Sequence, residues 1–537
     1  MHILEIILGL LATVAAVGAL AKRVPIPLPL LQAGAGLLLS FAPGFEQVQL
    51  DPAIFFALFI PPLLFSEGWL IPKRELMQVL RPVLLLALGL VTLTVLVVGY
   101  AIHLLIPSLP LAAAFALGAI VSPTDAVAIS AISHKLELPS RLTHIIGGES
   151  LINDASGLVA FKVAVAAMAT GYFSFSDTGL DFLVLSFGGL ACGLAVAGAI
   201  GMLRLWLVSG NISEPVIQST LSLLTPFAAY FAAEALHVSG ILAVVAGGIY
   251  AGMHDTRHLN VENRLQTWEV WRVLLFVFNG VVFLLLGLQL RGIMGGLAGY
   301  SGAQLAAYTG AVYALVLVTR MAWVYPAAYL PRWLFPHIAK REERPHGGAV
   351  FLLGWAGIRG SVTLAAALSL PVLAGGGQPF PGRDLIIFIA AGVIVLTLVV
   401  HGLTLPMLIT KLGIAGDGIF EREEHMARVA LANAAIKRLE PHRGEMSTPH
   451  EQAYAARLAG VYQRRVRHLD PDAPESRQIA VELKVERNIR LTALDAEREE
   501  LFALNKARRI NEEVLRKLQR ELDHMESALI EPDKHAA

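Results

Sequence analysis

The sequence holds a single cysteine, Cys192, in 537 residues, and it has no net charge, because 42 Lys and Arg balance 42 Asp and Glu. One thiol allows no internal disulfide and no metal cluster, and its place inside an apolar run marks it as a packing residue. Zero net charge gives nucleic acid nothing to be attracted by. No phosphate-binding loop or Walker motif is present, so any transport is expected to run on ion gradients and not on ATP. Charge of either sign is also scarce. Charged residues make up 16% of the chain, against roughly 25% in soluble proteins. Hydrophobic residues make up 55%, and the mean hydropathy is +0.62. Such a composition argues for residence in a membrane.

The shortage of charge is uneven. Residues 1–412 contain long uncharged runs, whereas 413–537 is dense in both signs, as in EREEHMARVALANAAIKRLE. A membrane domain followed by a mostly helical cytoplasmic tail, a candidate for regulation, is the reading. Breaks in the tail are expected at Glu440-Pro441 and across Asp470-Pro471-Asp472-Ala473-Pro474. Leu515, Leu518, Leu522, Met525 and Leu529 recur at three and four residues. That pattern is too short for a coiled coil and suits an amphipathic helix packed on the tail itself.

Apolar segments occur at 4–21, 25–43, 52–70, 79–106, 109–133, 145–172, 179–207, 214–236, 238–253, 271–290, 303–331, 347–372 and 384–410. These make about thirteen candidate spans of bilayer length. The N-terminal run lacks a basic start and is followed, not preceded, by Lys22 and Arg23; it reads as a first membrane helix with its N-terminus outside. Basic residues from Lys22 and Arg23 through Arg81, Arg141 and Arg332 to Arg344 then fall on the cytoplasmic side, leaving Arg291 and Arg383 opposite. An odd number of spans preserves this positive-inside bias and places the tail in the cytoplasm.

Two acids lie within membrane-length stretches: Asp125 in AIVSPTDAVAIS and Asp154 in GGESLINDASGLVAF. A charge at mid-bilayer costs at least ~2.5–3.5 kcal/mol on insertion scales and signals function. Pro123 removes a backbone donor and disfavours helix at Ser122, so segment five is expected to be interrupted there. Segment twelve is weakened by Gly354, Gly357 and Gly360 around Arg359. The topology above runs these two segments in opposite directions, as in the inverted repeats of secondary transporters, where broken helices expose carbonyls to a buried site.

On one helix, Ser150 and Asp154 are a turn apart, and Glu149 and Asn153 share the neighbouring stripe. Carboxylate, hydroxyl and freed carbonyl oxygens suit a hard monovalent cation, and Asp154, Asp125, Ser150 and the Thr124 region are the expected donors. Asn153 is expected to donate its amide hydrogens to the freed carbonyls. Glu149 is expected to pair with Arg359, since each alone would be an uncompensated buried charge. A buried carboxylate also takes up a proton, so proton and cation would compete for one place. The bland alternative for Asp154 is an ion pair with Lys162, two turns along. Glu234 and His237 read as interfacial residues, and His401 as a buried, hydrogen-bonded histidine rather than a pH sensor.

Together, SPTDAVA, GGESLINDASGLVAF and GIRGSV resemble the cation:proton antiporter-1 family, the prokaryotic NhaP-type sodium/proton exchangers related to the animal exchangers. The resemblance spans the membrane domain. It implies an all-α polytopic fold with two discontinuous crossing helices, and an ion site formed by Asp154 with Ser150, Thr124 and Asp125. It also implies Asn153 as a support, a Glu149–Arg359 salt bridge, and Glu67 in PPLLFSEG as a gate or ion-path acid. Further implications are a homodimer, elevator-like movement of a core domain, a role in pH and sodium homeostasis at the plasma membrane, and electroneutral one-for-one exchange of sodium and protons with no cofactor. The Asn-Asp pair resembles the electroneutral branch. Lys162 departs from the pattern, and the tail resembles no regulatory domain. Potassium or lithium could join or replace sodium, since selectivity depends on cavity geometry. An ion channel or an intramembrane aspartyl protease is the rival class. The channel would not need competing carboxylates, and the YD and GxGD patterns of the protease are absent around Asp125 and Asp154.

Overall fold

Helix accounts for nearly all the regular structure. The computed structural model describes residues 2–24, 26–45, 51–126, 129, 138–170, 175–210, 214–342, 344–374, 377–414, 416–445, 448–469 and 476–530. Among these, the non-helical pairing is an isolated bridge between Leu373 and Pro379. The chain divides into two compact units, 1–416 and 417–537.

In the first unit the helices are α1 (His2–Ala21), α2 (Leu28–Leu39), α3 (Pro52–Leu70), α4 (Lys73–Gln78), α5 (Leu80–Leu105), α6 (Leu111–Val121) and α7 (Ser140–Thr170). They continue with α8 (Phe175–Ser209), α9 (Pro215–Ala235), α10 (Gly240–His258), α11 (Val261–Gly296) and α12 (Gly302–Leu334). The last are α13 (Pro336–Arg341), α14 (Gly347–Trp355), α15 (Ser361–Leu368) and α16 (Arg383–Lys411). Among the described residues, nine helices are long and apolar enough to cross a membrane. The remaining apolar segments form shorter helices, including α2 and α6, or the α14–α15 pair.

Helix starts follow their local chemistry. Asp51 caps α3 by accepting from the amides of Ala53 and Ile54 at 2.8 and 3.2 Å, with Pro52 at the first helical position. Ser301 and Gln304 form a reciprocal capping box on α12. Within α5 the residues Leu85–Leu90 form a π turn. Such a turn frees carbonyls from the regular ladder. Two helices satisfy them: the Ser156 hydroxyl donates to the Ala87 carbonyl at 2.6 Å, and the Trp323 indole donates to that of Leu85 at 2.9 Å.

The helices pack as two bundles. One combines α1, α2, α3, α8, α9, α10 and α11; the other combines α5, α6, α7, α12, α14 and α16, with α15 in the seam. In the first bundle α2 and α11 meet backbone to backbone. A Cβ at Gly36 would fall 2.0 Å from the Leu284 carbonyl oxygen, and one at Gly287 equally close to that of Ala33. Small residues permit this approach where lipid supplies no hydrophobic drive.

The second unit contains α17 (Ile419–Glu445), α18 (Pro449–Leu469), α19 (Ser476–Lys506) and α20 (Glu512–Leu529). The break expected at Glu440-Pro441 does not occur, because α17 runs on to Glu445. A proline costs a helix one backbone bond, and here it falls close to the helix end, where that cost is least disruptive. The second expected break, 470–474, lies outside the described residues. Leu515 and Leu522 of α20 pack with Leu494 and Leu501 of α19. The leucine pattern therefore serves the tail's own small core.

Candidate functional site

Both expected interruptions are present, and they touch. α6 ends at Val121 and the chain from Ser122 to Asp125 is not helical; α14 ends at Trp355 and α15 begins at Ser361. The rest of segment five, apart from Ala126 and Ile129, lies outside the described residues. The Asp125 amide donates to the Ile358 carbonyl at 2.8 Å, which joins one break to the other through backbone. Gly360 is required at this meeting point, since a Cβ there would fall 1.8 Å from Asp125 Oδ2.

α7 runs unbroken past the junction and supplies its polar face. Asn153 donates from Nδ2 to the Thr124 hydroxyl at 2.8 Å and accepts from the Thr124 amide at 3.4 Å. The Thr124 hydroxyl donates in turn to Glu149 Oε1 at 3.4 Å. Ser150 Oγ accepts from the Ala126 amide at 3.2 Å. Asn153 thus holds the broken segment as expected, but it grips the Thr124 side chain and amide and not a freed carbonyl. Thr124, Glu149, Ser150, Asn153 and Asp154 are all buried.

The expected Glu149–Arg359 salt bridge is not the one formed. Glu149 is held by Arg320 of α12, through Nη1 to Oε1 and through Nη2 to Oε2 at 2.9 Å. Arg320 also donates to the carbonyls of Leu353 and Gly354 at 3.0 and 3.1 Å, at the end of α14. Arg359 instead donates to the Val121 carbonyl at 3.1 Å and to that of Gly357, while its amide donates to Thr397 Oγ1 at 3.2 Å. Each half-helix C-terminus, with unpaired carbonyls and a negative dipole end, therefore receives a buried guanidinium. Arg320 escaped the sequence reading although LVLVTRMAWV places a charge in mid-span, the same signal that drew attention to Asp125 and Asp154.

Three further acids act on one another in this unit. Glu67, on α3, and Asp154 act on each other's carboxyls, and the charge of Asp125 acts on both. Buried acids that feel one another this way favour one shared proton over two charges. Glu67 Oε2 is buried without a hydrogen-bond partner among the described residues. The arrangement can hold a proton between two acids or offer their oxygens to a cation.

Lys162 does not reach Asp154. It pairs with Glu234 of α9 at 2.5 Å, with its ammonium 5.5 Å from the ring centres of both Phe56 and Tyr230. Glu234 is partly exposed, in keeping with the interfacial reading, and it has this partner besides. His401 is buried as expected, with Nε2 3.1 Å from the Tyr313 hydroxyl and its ring stacked on Trp355.

Residues 9–411 match the model of a family described as "Sodium/hydrogen exchanger, transmembrane". The chain is 38% identical over 536 residues to the "Sodium, potassium, lithium and rubidium/H(+) antiporter" of Bacillus pumilus, covering 98% of this chain and 78% of that one. It is 37% identical to an "Uncharacterized Na(+)/H(+) exchanger" of Escherichia coli, covering 99% of this chain and 100% of that one. The fold is similar to that of the sodium proton antiporter MjNhaP1 from Methanocaldococcus jannaschii, with a TM-score of 0.57 at 19% identity over 77% of this chain and 99% of that one.

Proposed function

The chain belongs to the family of transmembrane sodium/hydrogen exchangers, and on that premise we propose how its buried acids exchange protons for monovalent cations. It is a multi-pass membrane protein and a secondary cation:proton antiporter. Sodium is the main cargo in this reading, with lithium as a lesser one. The observation that carries the reading is the meeting of two broken helices at Asp125 and Ile358, with Ser150 of α7 bonded to the break and Asp154 buried one turn further along that helix.

Asp154 is the group that alternately holds proton and cation. Asp125, Ser150 and the Thr124 backbone complete the oxygen donors, and Glu67 shares the proton and guards the path. Asn153, Glu149, Arg320 and Arg359 are supports. Their hydrogen bonds fix the broken segments, so the donors stay in place when the proton leaves. One proton and one monovalent cation are equivalent in charge at such a site. If movement requires one or the other to be bound, exchange is one for one and electroneutral.

The wider architecture follows the same reading. Thirteen crossings place the N-terminus outside and the tail in the cytoplasm. The interrupted segments are the crossing helices of an inverted repeat. The bundle carrying α7 moves against the bundle carrying α3, and the latter also provides a homodimer contact. The membrane domain is 1–412 and the tail 413–537. The plasma membrane, where sodium and proton gradients are maintained, is its place, and pH and sodium homeostasis is its role.

The test is proton flux in proteoliposomes with sodium, lithium and potassium in turn, at several pH values and with the membrane potential clamped. Sodium-dependent flux that ignores the potential, and that Asp154→Asn abolishes in a folded protein, is the expected result. Undiminished exchange by that variant would remove Asp154 from its role. Flux that follows the potential would overturn the one-for-one stoichiometry.

A further inference from the structure

Away from the ion site, three arginines from three helices converge on one carboxylate oxygen. Arg81 of α5, Arg141 of α7 and Arg332 of α12 donate to Glu342 Oε2 at 2.8, 3.1 and 2.9 Å. One oxygen cannot serve three guanidiniums well, and these four side chains sum to two positive charges. Donors are left over. Arg332 has a side chain only 8% exposed, yet among the described residues its Nε has no hydrogen-bond partner, and neither do Nε and Nη1 of Arg81. A buried, unpaired donor on a charged group is costly, so this cluster is built for a further acceptor.

Beside it lies a cavity of about 180 Å³. Arg141 and Arg332 line it together with apolar side chains that include Leu86, Leu142, Val324 and Val350. On the same stretch of α12, Tyr325, Tyr329 and Trp333 are exposed, followed by an exposed Phe335. Such aromatic residues mark the headgroup level of a bilayer. Unsatisfied guanidinium donors, an apolar cavity next to them and an aromatic belt at the same depth describe an amphiphile: an anionic head with a hydrocarbon tail.

We propose that this cluster is a binding site for an anionic phospholipid, with its phosphate on Arg81, Arg141 and Arg332 and part of an acyl chain in the cavity. Basic pockets between membrane helices take such headgroups, and the arginine fork suits phosphate oxygens. Glu342 acts as an internal competitor that holds the arginines together when the lipid is absent. A bound phosphate would tie the ends of α5, α7 and α12 more firmly than one carboxylate does.

Native mass spectrometry of the full chain in detergent tests this, with phosphatidylglycerol, phosphatidylcholine and inorganic phosphate as probes. Phosphatidylglycerol should be retained in preference to phosphatidylcholine. Arg141→Gln, at a half-exposed position where folding is not at stake, should weaken that retention about fivefold, the worth of one basic group near a membrane surface. Glu342→Gln should strengthen it, a direction that mere structural damage would not produce. Ala327→Leu, which fills the cavity while keeping every charge, should weaken it as well. Equal retention of the two lipids, or wild-type retention by both Arg141→Gln and Glu342→Gln, would overturn the proposal. So would displacement of phosphatidylglycerol by inorganic phosphate with Ala327→Leu unaffected, which would mark a site for the anion alone.

Discussion

Arg320 and Arg359 are both buried in the middle of the membrane unit, yet their removal has different consequences. Arg320 is the bidentate partner of Glu149, and among the described residues no other cationic side chain pairs with that carboxylate. Losing it leaves a buried anion, a defect that costs about 3–5 kcal/mol. Among the described residues, the Arg359 side chain bonds to carbonyls, so its loss leaves unpaired neutral acceptors at about 1–3 kcal/mol. Arg320→Gln should therefore lower the melting temperature in detergent more than Arg359→Gln does, and Glu149→Gln combined with Arg320→Gln should recover part of the loss. The reverse order would return Glu149 to Arg359. The sequence reveals that Glu149 must have a cationic partner, because an unpaired carboxylate cannot stay buried. It does not reveal which arginine, because the choice depends on which helix lies beside α7, and residue spacing along one chain carries no such information.

At the scale of the elements, both breaks were legible because each has a local cause: Pro123 in one segment, and three glycines in the other. Their contact was not legible. It consists of a backbone hydrogen bond from Asp125 to Ile358, separated by more than two hundred residues, and of the room left by Gly360. Gly360 adopts φ −136° and ψ −150°, so its need for glycine arises from space and not from a positive φ. Gly360→Ala must push Asp125 or the α15 start away. Because Asp125 is next to the proposed ion donors, sodium-dependent proton flux in proteoliposomes should fall at least tenfold, about the effect of 1.4 kcal/mol, with the apparent affinity for sodium reduced. Wild-type flux and affinity in a folded Gly360→Ala variant would show that the junction tolerates separation. The π turn in α5 is a second feature with no warning in LLALGL; it becomes intelligible only with Ser156 and Trp323 in place to take its carbonyls.

For the whole molecule, the composition alone separated a membrane unit from a charged tail, since a bilayer tolerates few charges and the tail has many. The division of the membrane unit into two bundles was hidden, because every apolar helix looks alike when lipid and protein are equally acceptable neighbours. The seam between the bundles contains the Lys162–Glu234 pair, one partner on the helix of Asp154 and the other on α9. Both side chains are about 40% exposed, so the pair adds little to stability. It matters if the bundles slide, since it must then break and reform at each cycle. Lys162→Met should leave the melting temperature and the apparent sodium affinity close to wild type while changing the maximal exchange rate, and Glu234→Gln should change it in the same direction. A large loss of stability, or a change in sodium affinity with an unaltered rate, would make the pair a static strut or a part of the ion site. The tail permits a sharper separation. The family match ends at residue 411, and the described ion-site contacts all lie before it, whereas α17–α20 contain their own leucine core. A chain ending at about residue 415 should therefore retain sodium-dependent proton flux and its abolition by Asp154→Asn, with any difference confined to the pH at which flux is half-maximal or to assembly measured by light scattering. Loss of sodium binding on truncation would mean that the tail completes the site.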